Sequence, residues 1–352
     1  MNKKKKVSRT ILAFWLAAAC LAGCGSTESV QNQEKAGPKA QTAATDSIDT
    51  TTAEEIVGKA EEAGRQGPYT FVDDLGQEIT MENPRRVVTL MGSFAEIWVL
   101  AGGADSLVGT SEDTTDNRNL GIPKGAVNVG TYQNPNMEEL LSLNPDLVIL
   151  SAETVRTDNH MTLKSSLEAA GIPAAYFSVT HFEDYLNMLK ICTDITGDSE
   201  AYEKNGIRVQ NQVEQILADT ALEEEPSFLL LITYSGGIRP QNSDSMTGRM
   251  LTELGAHNII DDYPSLLQEF SMEEVIEVDP DYIFVIAMGN DDEAVKKNLE
   301  ESIESNPAWN SLTAVKNDRY LLLPREQFLY KPNAKWADSY QYLADLLTNT
   351  NK

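Results

Sequence analysis

The fold of this chain is decided by a segment that occurs twice. Residues 137–149 read MEELLSLNPDLVI, and 135 positions later residues 272–284 read MEEVIEVDPDYIF, with five of the thirteen positions identical. In each copy a short helical pattern ends at Pro-Asp, and an apolar run typical of a buried strand follows. Proline stops the helix and aspartate favours the turn, so packing explains that pair. Packing does not require the glutamates Glu138 and Glu273, which are therefore candidates for a function shared by both halves.

Around the two copies, short apolar runs alternate with helical patterns. A weaker repeat, AGGA at 101–104 and LGAHN at 254–258, closes a helix ahead of a strand in each half. This alternation predicts mostly parallel sheets covered by helices, an α/β fold. The predicted strands are 87–90, 147–150, 174–177, 228–233, 282–286 and 320–323, and the clearest predicted helices are 94–101, 137–143, 161–170 and 336–347.

The size of the body predicts two lobes. About 285 residues follow the N-terminal region, more than a single core usually holds. A long helical pattern over 182–217, interrupted near Gly197 and Asp198, separates the halves and predicts a stiff connection with small rocking rather than wide hinge closure. The predicted limits are 68–180 for the first lobe, 181–225 for the helical bridge and 226–352 for the second lobe.

The N-terminus predicts an exported, anchored protein. Basic residues precede an apolar run at 11–22, which is too short to span a bilayer. Small residues before Cys24 are typical of a lipoprotein signal peptide over 1–23, and the alternative is an ordinary secretory leader. On the first interpretation Cys24 carries the lipid, residues 24–67 form a polar tether, and the body lies outside the cytoplasmic membrane.

Composition excludes several classes of protein. There are 54 Asp and Glu against 28 Lys and Arg, a formal net charge of −26, so the chain lacks the basic surface that nucleic-acid binding requires. Three cysteines are too few for a disulfide scaffold, and only Cys192 lies in the predicted body. Three histidines, none in a paired spacing, and the absence of glycine-rich phosphate loops disfavour hydrolytic, nucleotide-binding and bare-metal sites. We therefore expect no enzymatic activity.

Three further segments carry a resemblance to a known family. Residues 71–79 read FVDDLGQEI, residues 84–88 read PRRVV, and residues 307–319 read PAWNSLTAVKNDR. Together with the two glutamate-bearing copies, they resemble periplasmic-type binding proteins of ABC importers for ferric siderophores, haem and cobalamin. The similarity extends over about 69–347.

The resemblance implies a class III periplasmic binding protein fold: two α/β lobes bridged by a rigid helix, with the ligand in the cleft between them. It implies a monomer without a resident cofactor that delivers a metal chelate to a permease and its ATPase. It also implies that Glu138 and Glu273 contact arginines of the permease, with Glu139 or Glu274 as the alternative contacts. Two carboxylates on a rigid body would fix its orientation, and charge pairing favours fast encounter.

The cleft residues are predicted from the loops that follow the strands, because ligands of α/β folds bind at the carboxyl ends of strands. Aromatic, methionine and arginine side chains there suit a large chelate that carries negative charge. A ferric siderophore is the preferred ligand, and haem and cobalamin are alternatives, with Met91 and Met288 as iron ligands only if the ligand is haem. A surface sensor or adhesin on the same scaffold is a further alternative. The predicted ligand-binding residues are Met91, Phe94, Tyr132, Arg156, Tyr234, Arg239, Met288, Arg325, Phe328 and Tyr330.

Overall fold

The computed structural model describes residues 67–114, 118, 120–234, 236–288 and 292–348. The predicted signal peptide, Cys24 and the predicted tether up to residue 66 lie outside the described residues. Everything described belongs to one compact unit, Glu54–Lys352. Within the described ranges no helix combines the length and the apolar character needed to cross a bilayer.

The first lobe is built on a parallel sheet with the strand order β5-β4-β3-β6-β7, preceded by an antiparallel hairpin of β1 and β2. Its strands are β1 Tyr69–Val72, β2 Glu78–Met81, β3 Val87–Thr89, β4 Leu107–Thr110, β5 Val127–Asn128, β6 Leu147–Ser151 and β7 Ala174–Phe177. Its helices are α1 Gly92–Leu100, α2 Met137–Ser142 and α3 Asp158–Ala170, with a 3₁₀ turn at Ala104–Ser106.

A helical segment connects the lobes. It consists of α4 Phe182–Thr196, α5 Ser199–Tyr202, a π-helical turn at Glu203–Ile207 and α6 Arg208–Asp219. Helix α4 ends at Gly197, whose φ of 79° is left-handed, and Asp198 caps the next helix through a hydrogen bond from Ala201 N. The predicted interruption near these two residues is confirmed.

The second lobe carries a parallel sheet in the order β10-β8-β11-β12, with β9 antiparallel to β8. Its strands are β8 Ser227–Tyr234, β9 Gly237–Gln241, β10 His257–Asn258, β11 Tyr282–Ala287 and β12 Tyr320–Leu323. Its helices are α7 Met246–Glu253, α8 Ile259–Asp262, α9 Met272–Val278, α10 Asp292–Leu299, α11 Thr313–Lys316, α12 Arg325–Phe328 and α13 Trp336–Thr348, with 3₁₀ turns at Pro264–Leu267, Trp309–Ser311 and Asn333–Lys335 and a π turn at Glu300–Glu304.

The two copies of the repeated segment occupy equivalent places in the two sheets. Strand β6 pairs with β3, and β11 pairs with β8, each at the centre of its sheet. The Asp146 carboxylate accepts hydrogen bonds from Arg85 N and Arg86 N at 2.9 and 3.0 Å, just before β3. The Asp281 carboxylate accepts from the backbone N and side-chain Oγ of Ser227, both at 2.8 Å, at the start of β8. The Pro-Asp pair therefore fixes one central strand against its neighbour in both lobes.

Apolar packing joins the lobes. The largest core cluster contains Val87 of β3, the inward face of α4, and Phe284 and Trp336 of the second lobe. The rings of Phe182 and Trp336 lie 5.7 Å apart, centroid to centroid, across the junction. Because apolar burial is the main stabilising term in folding, this continuous core favours a rigid pair of lobes.

Replacing Asp281 by alanine is expected to lower the free energy of unfolding by about 1–3 kcal/mol, because Ser227 N then loses its acceptor at a partly buried strand start. Urea denaturation followed by circular dichroism measures the change. Glu277→Ala is the matched control, since Glu277 is exposed on α9. Equal stability of the two variants would show that the Asp281 hydrogen bonds do not contribute.

Candidate functional site

The site lies where the carboxyl ends of the two sheets meet near the start of α4. Three strand-end loops of the first lobe reach this edge, around Met91, Arg118 and Val179. From the second lobe the segment after β12, residues 324–335, crosses to them. The edge thus brings together loops that are far apart in the sequence, as expected for ligand sites in α/β folds.

The structure divides the predicted cleft residues into three groups. Arg156, Tyr234, Arg239 and Met288 are exposed, with 38% of Tyr234 and 44% of Met288 accessible to solvent. Four others are half-buried: Met91, Tyr132, Arg325 and Tyr330. Phe94 and Phe328 form the third group, because both are buried.

The predictions for Phe94 and Phe328 are wrong. Phe94 is 0% exposed and Phe328 is 3% exposed, and both belong to the main core cluster. Phe94 lies in the first turn of α1, on the face that packs inward, and the ring of Phe328 packs 5.6 Å from that of Tyr342. Their position after a strand was identified correctly, but the helix phase turns both rings into the core.

A cavity of about 220 Å³ opens between the lobes at this edge. Larger cavities of about 290 and 390 Å³ lie at an outer edge of the first sheet and at the amino ends of strands of the second, and one of about 590 Å³ lies between the end of α1 and the helical bridge. The inter-lobe cavity is lined by Glu96, Arg118, Leu120, Glu326, Tyr330, Lys331, Pro332 and Lys335.

A network of polar side chains closes the floor of this cavity. Arg118 forms an ion pair with Glu96 and donates from Nη2 to the backbone carbonyl of Lys331 at 3.0 Å. Asn333, which is 0% exposed, donates from Nδ2 to Ser93 O at 3.0 Å and to Glu96 Oε2 at 2.7 Å. These bonds connect the segment 324–335 of the second lobe to two parts of the first lobe, helix α1 and Arg118.

Burial shifts the pKa values of the two cations of this network. Removal from water lowers the pKa of Arg118 to about 10, which leaves it charged at neutral pH. Burial also lowers the pKa of Lys331, while the nearby carboxylates of Glu153 and Asp184 oppose that shift. The Lys331 ammonium donates to the carbonyl of Val179 in the first lobe. The sequence predictions did not include Glu96, Arg118 or Asn333.

Tyr132 is positioned by a buried histidine. His160 is 1% exposed, and its Nε2 donates to Tyr132 O at 2.6 Å while Nδ1 contacts Thr154 Oγ1 at 3.0 Å. Burial lowers the pKa of His160, so the ring is neutral at neutral pH. This histidine therefore connects the loop after β5 to the loop after β6 through two hydrogen bonds.

Glu138 and Glu273 occupy the same place in their lobes. Each is exposed in the first turn of a helix, α2 or α9, that precedes a central strand. Helices that return between parallel strands run antiparallel to them, so both glutamates lie on the carboxyl-end side of the sheets. Glu139 and Glu274 are half-buried, and their backbone N–H groups donate to the capping side chains of Asn136 and Ser271.

Within the described ranges, no group of three or more His, Cys, Asp and Glu side chains is arranged to hold a metal ion. The thiol of Cys192 is buried in the core, and burial raises its pKa.

Comparison with known proteins decides the family. The sequence profile of the periplasmic binding proteins matches residues 87–326, which is more than half of the chain. The chain belongs to the periplasmic binding protein family. The family assignment agrees with the two α/β lobes, and the predicted fold class is confirmed.

Three similar proteins illustrate the range of the family. An Fe(3+)-citrate-binding protein of Bacillus subtilis is 27% identical over 251 residues, covering 70% of this chain and 75% of that protein. An uncharacterised ABC transporter substrate-binding lipoprotein of the same organism is 25% identical over 323 residues, covering 90% and 89%. The haem complex of S. aureus IsdE has a TM-score of 0.61 at 18% identity, covering 75% of this chain and 98% of that one. The last similarity supports the fold alone.

Proposed function

We propose that this chain is an extracytoplasmic, lipid-anchored binding protein that captures an iron chelate and delivers it to an ABC importer. A ferric siderophore is the preferred ligand class, and the chain performs no chemistry on it. Membership of the periplasmic binding protein family supports the binding role. The lipid on Cys24 would keep the body near the membrane, where the permease lies.

The observation that carries the choice of ligand is a pair of unpaired arginines. Arg156 follows β6 in the first lobe, and Arg239 lies on β9 in the second lobe. Both are exposed, and neither side chain forms a hydrogen bond or ion pair with any described residue. In a chain with a formal net charge of −26, two cations without carboxylate partners are well suited to bind an anionic ligand.

The double variant Arg156→Ala, Arg239→Ala is expected to bind ferric citrate at least tenfold more weakly, because each lost charge-assisted contact contributes about 1.5–3 kcal/mol. Isothermal titration calorimetry of the full chain in detergent measures this affinity. Arg208→Ala, an exposed arginine on α6, is the matched control and should bind like the unchanged protein. Full affinity of the double variant for ferric citrate would show that these two arginines do not bind the chelate.

Haem is the second candidate, and the exposure of Met288 favours it. Met288 follows β11, and its backbone N donates to Thr233 O at 2.8 Å, which fixes the backbone at this strand end and leaves the thioether exposed. A methionine can serve as an axial ligand of haem iron, with Met91 at the start of α1 as the second. A haem titration followed by absorption spectroscopy tests this alternative, since methionine ligation gives a distinct Soret band and a non-specific complex does not.

A further inference from the structure

We propose that Glu96 acts as an internal competitor for the ligand: its carboxylate occupies an anion subsite at Arg118 in the empty protein, and a carboxylate of the incoming chelate displaces it. This inference rests on the proposed function, because it assumes that the ligand enters the cleft between the lobes. It assigns that cleft a carboxylate-bearing ligand and assigns Glu96 the role of a specificity-determining residue.

The geometry of Arg118 is that of an anion-binding group. Its side chain is 12% exposed and lines the inter-lobe cavity, as does that of Glu96, which is 18% exposed. A guanidinium carries five N–H donors in a planar fork. The contacts described above use one donor for Glu96 and one for Lys331 O, so donors remain for a second carboxylate oxygen. A bidentate pair with a ligand carboxylate would be stronger than the present single contact.

Glu96 can leave Arg118 without becoming an isolated charge. Its Oε2 also accepts a hydrogen bond from Asn333 Nδ2 at 2.7 Å. Movement of the Arg118 guanidinium away from this oxygen, toward an incoming carboxylate, would break the ion pair and keep the hydrogen bond from Asn333. Displacement therefore avoids most of the penalty that a buried carboxylate without any partner would incur.

The cavity sets the size and charge of the group that can enter. Its volume of about 220 Å³ is below the usual range for a whole small-molecule ligand, so we expect it to admit one arm of a chelate. Besides Arg118, two lysines line it, Lys331 and Lys335, so three cations face the two carboxylates of Glu96 and Glu326. The subsite therefore suits a carboxylate arm, such as that of a ferric hydroxycarboxylate, rather than a neutral arm.

Selectivity follows from the competition. A chelate with a free carboxylate replaces one anion by another at Arg118, and the charge of the guanidinium stays compensated. A chelate whose arms carry no carboxylate would have to enter beside an intact Arg118–Glu96 pair or separate it without compensation, which is costly for buried charges. Removal of the Glu96 charge should therefore favour carboxylate ligands selectively.

The test compares Glu96→Gln with the unchanged full chain in detergent, by isothermal titration calorimetry. The probes are ferric citrate and a ferric tris-hydroxamate that has no free carboxylate. We expect ferric citrate to bind at least tenfold more tightly to the variant, and the hydroxamate to bind with unchanged affinity. An unchanged or weaker affinity for ferric citrate, with an unchanged melting temperature, would overturn the proposal, because a merely structural Glu96 gives that result.

Two further variants keep the test decisive. Arg118→Gln should weaken ferric citrate binding at least tenfold, and adding it to Glu96→Gln should remove the gain. If Glu96→Gln does not fold, Glu96→Asp withdraws the carboxylate by one methylene and should raise the affinity in the same direction. A gain that survives the loss of Arg118 would contradict the subsite.

Metal-free citrate separates this inference from the proposed function. The subsite recognises a carboxylate and does not require iron. The Glu96→Gln variant should therefore bind metal-free citrate more tightly than the unchanged protein does. If the unchanged protein binds no iron chelate but the citrate gain appears, the proposed function fails and the subsite stands. If iron chelates bind and no citrate gain appears, the subsite fails and the proposed function stands.

Discussion

Replacement of both Glu138 and Glu273 by alanine is expected to reduce uptake of the bound chelate more than tenfold and to leave its affinity for the protein within a factor of two. Both carboxylates are exposed in the first turn of their helices, one on each lobe. They lie outside the inter-lobe cavity, so their loss does not remove a ligand contact. If they pair with permease arginines, truncation of one partner of each pair costs a large part of the docking free energy.

Uptake of radiolabelled iron by cells that produce each full-length variant measures this effect, and calorimetry measures the affinity. Glu277→Ala is the matched control, because Glu277 is an exposed carboxylate on α9, in the same helix as Glu273 but in its last turn. We expect that control to transport normally. Normal uptake by the double variant would show that the two glutamates do not dock the protein.

Asn333→Ala is expected to lower the free energy of unfolding by about 2–4 kcal/mol. Asn333 has a φ of 53°, a left-handed conformation that costs an alanine roughly 1 kcal/mol more than it costs an asparagine. The substitution also removes the donor to Ser93 O and to Glu96 at a position that is 0% exposed, and the loss of two hydrogen bonds, one of them to a carboxylate, costs about 1–3 kcal/mol. Both effects act at the junction between the lobes.

Urea denaturation of the two full-length proteins measures this loss. Asn317→Ala serves as the control, because Asn317 is exposed and has a φ of −101°. A loss below 1 kcal/mol for Asn333→Ala would mean that the inter-lobe hydrogen bonds are replaced by water at little cost. The continuous apolar core, including the packing of Phe182 against Trp336, would then be the main contact that holds the lobes together.

Much of the fold could be predicted because it is recorded in local patterns. The six predicted strands are all observed, each to within one residue at either end, since each of them is a continuous, mostly apolar run in the sequence. Strands β5 and β10 were missed because they have only two residues each, and β4 was missed because Gly109 interrupts its apolar pattern. The hairpin strands β1 and β2 alternate over only four positions each, and strand β9 has a single buried residue among its five.

The candidate site was only partly predictable, for a physical reason. The rule that ligands bind at strand ends selected Tyr132, Arg156 and Met288, which the structure places after strands and leaves exposed or half-buried, and their contact with a ligand stays a prediction. It could not distinguish an inward helix face from an outward one, as Phe94 shows. Nor could it find the contact of Glu96 with Asn333, since 237 residues separate the two and only the packing of one lobe against the other brings them together.

The central claim, that this chain binds an iron chelate between its lobes, is tested most directly by calorimetric titration of the full chain in detergent. The panel consists of ferric citrate, a ferric siderophore, haem and cobalamin. We expect one of the iron chelates to bind with a stoichiometry of one and a dissociation constant below micromolar. Heat from none of the four, or saturable binding by cobalamin alone, would contradict the account.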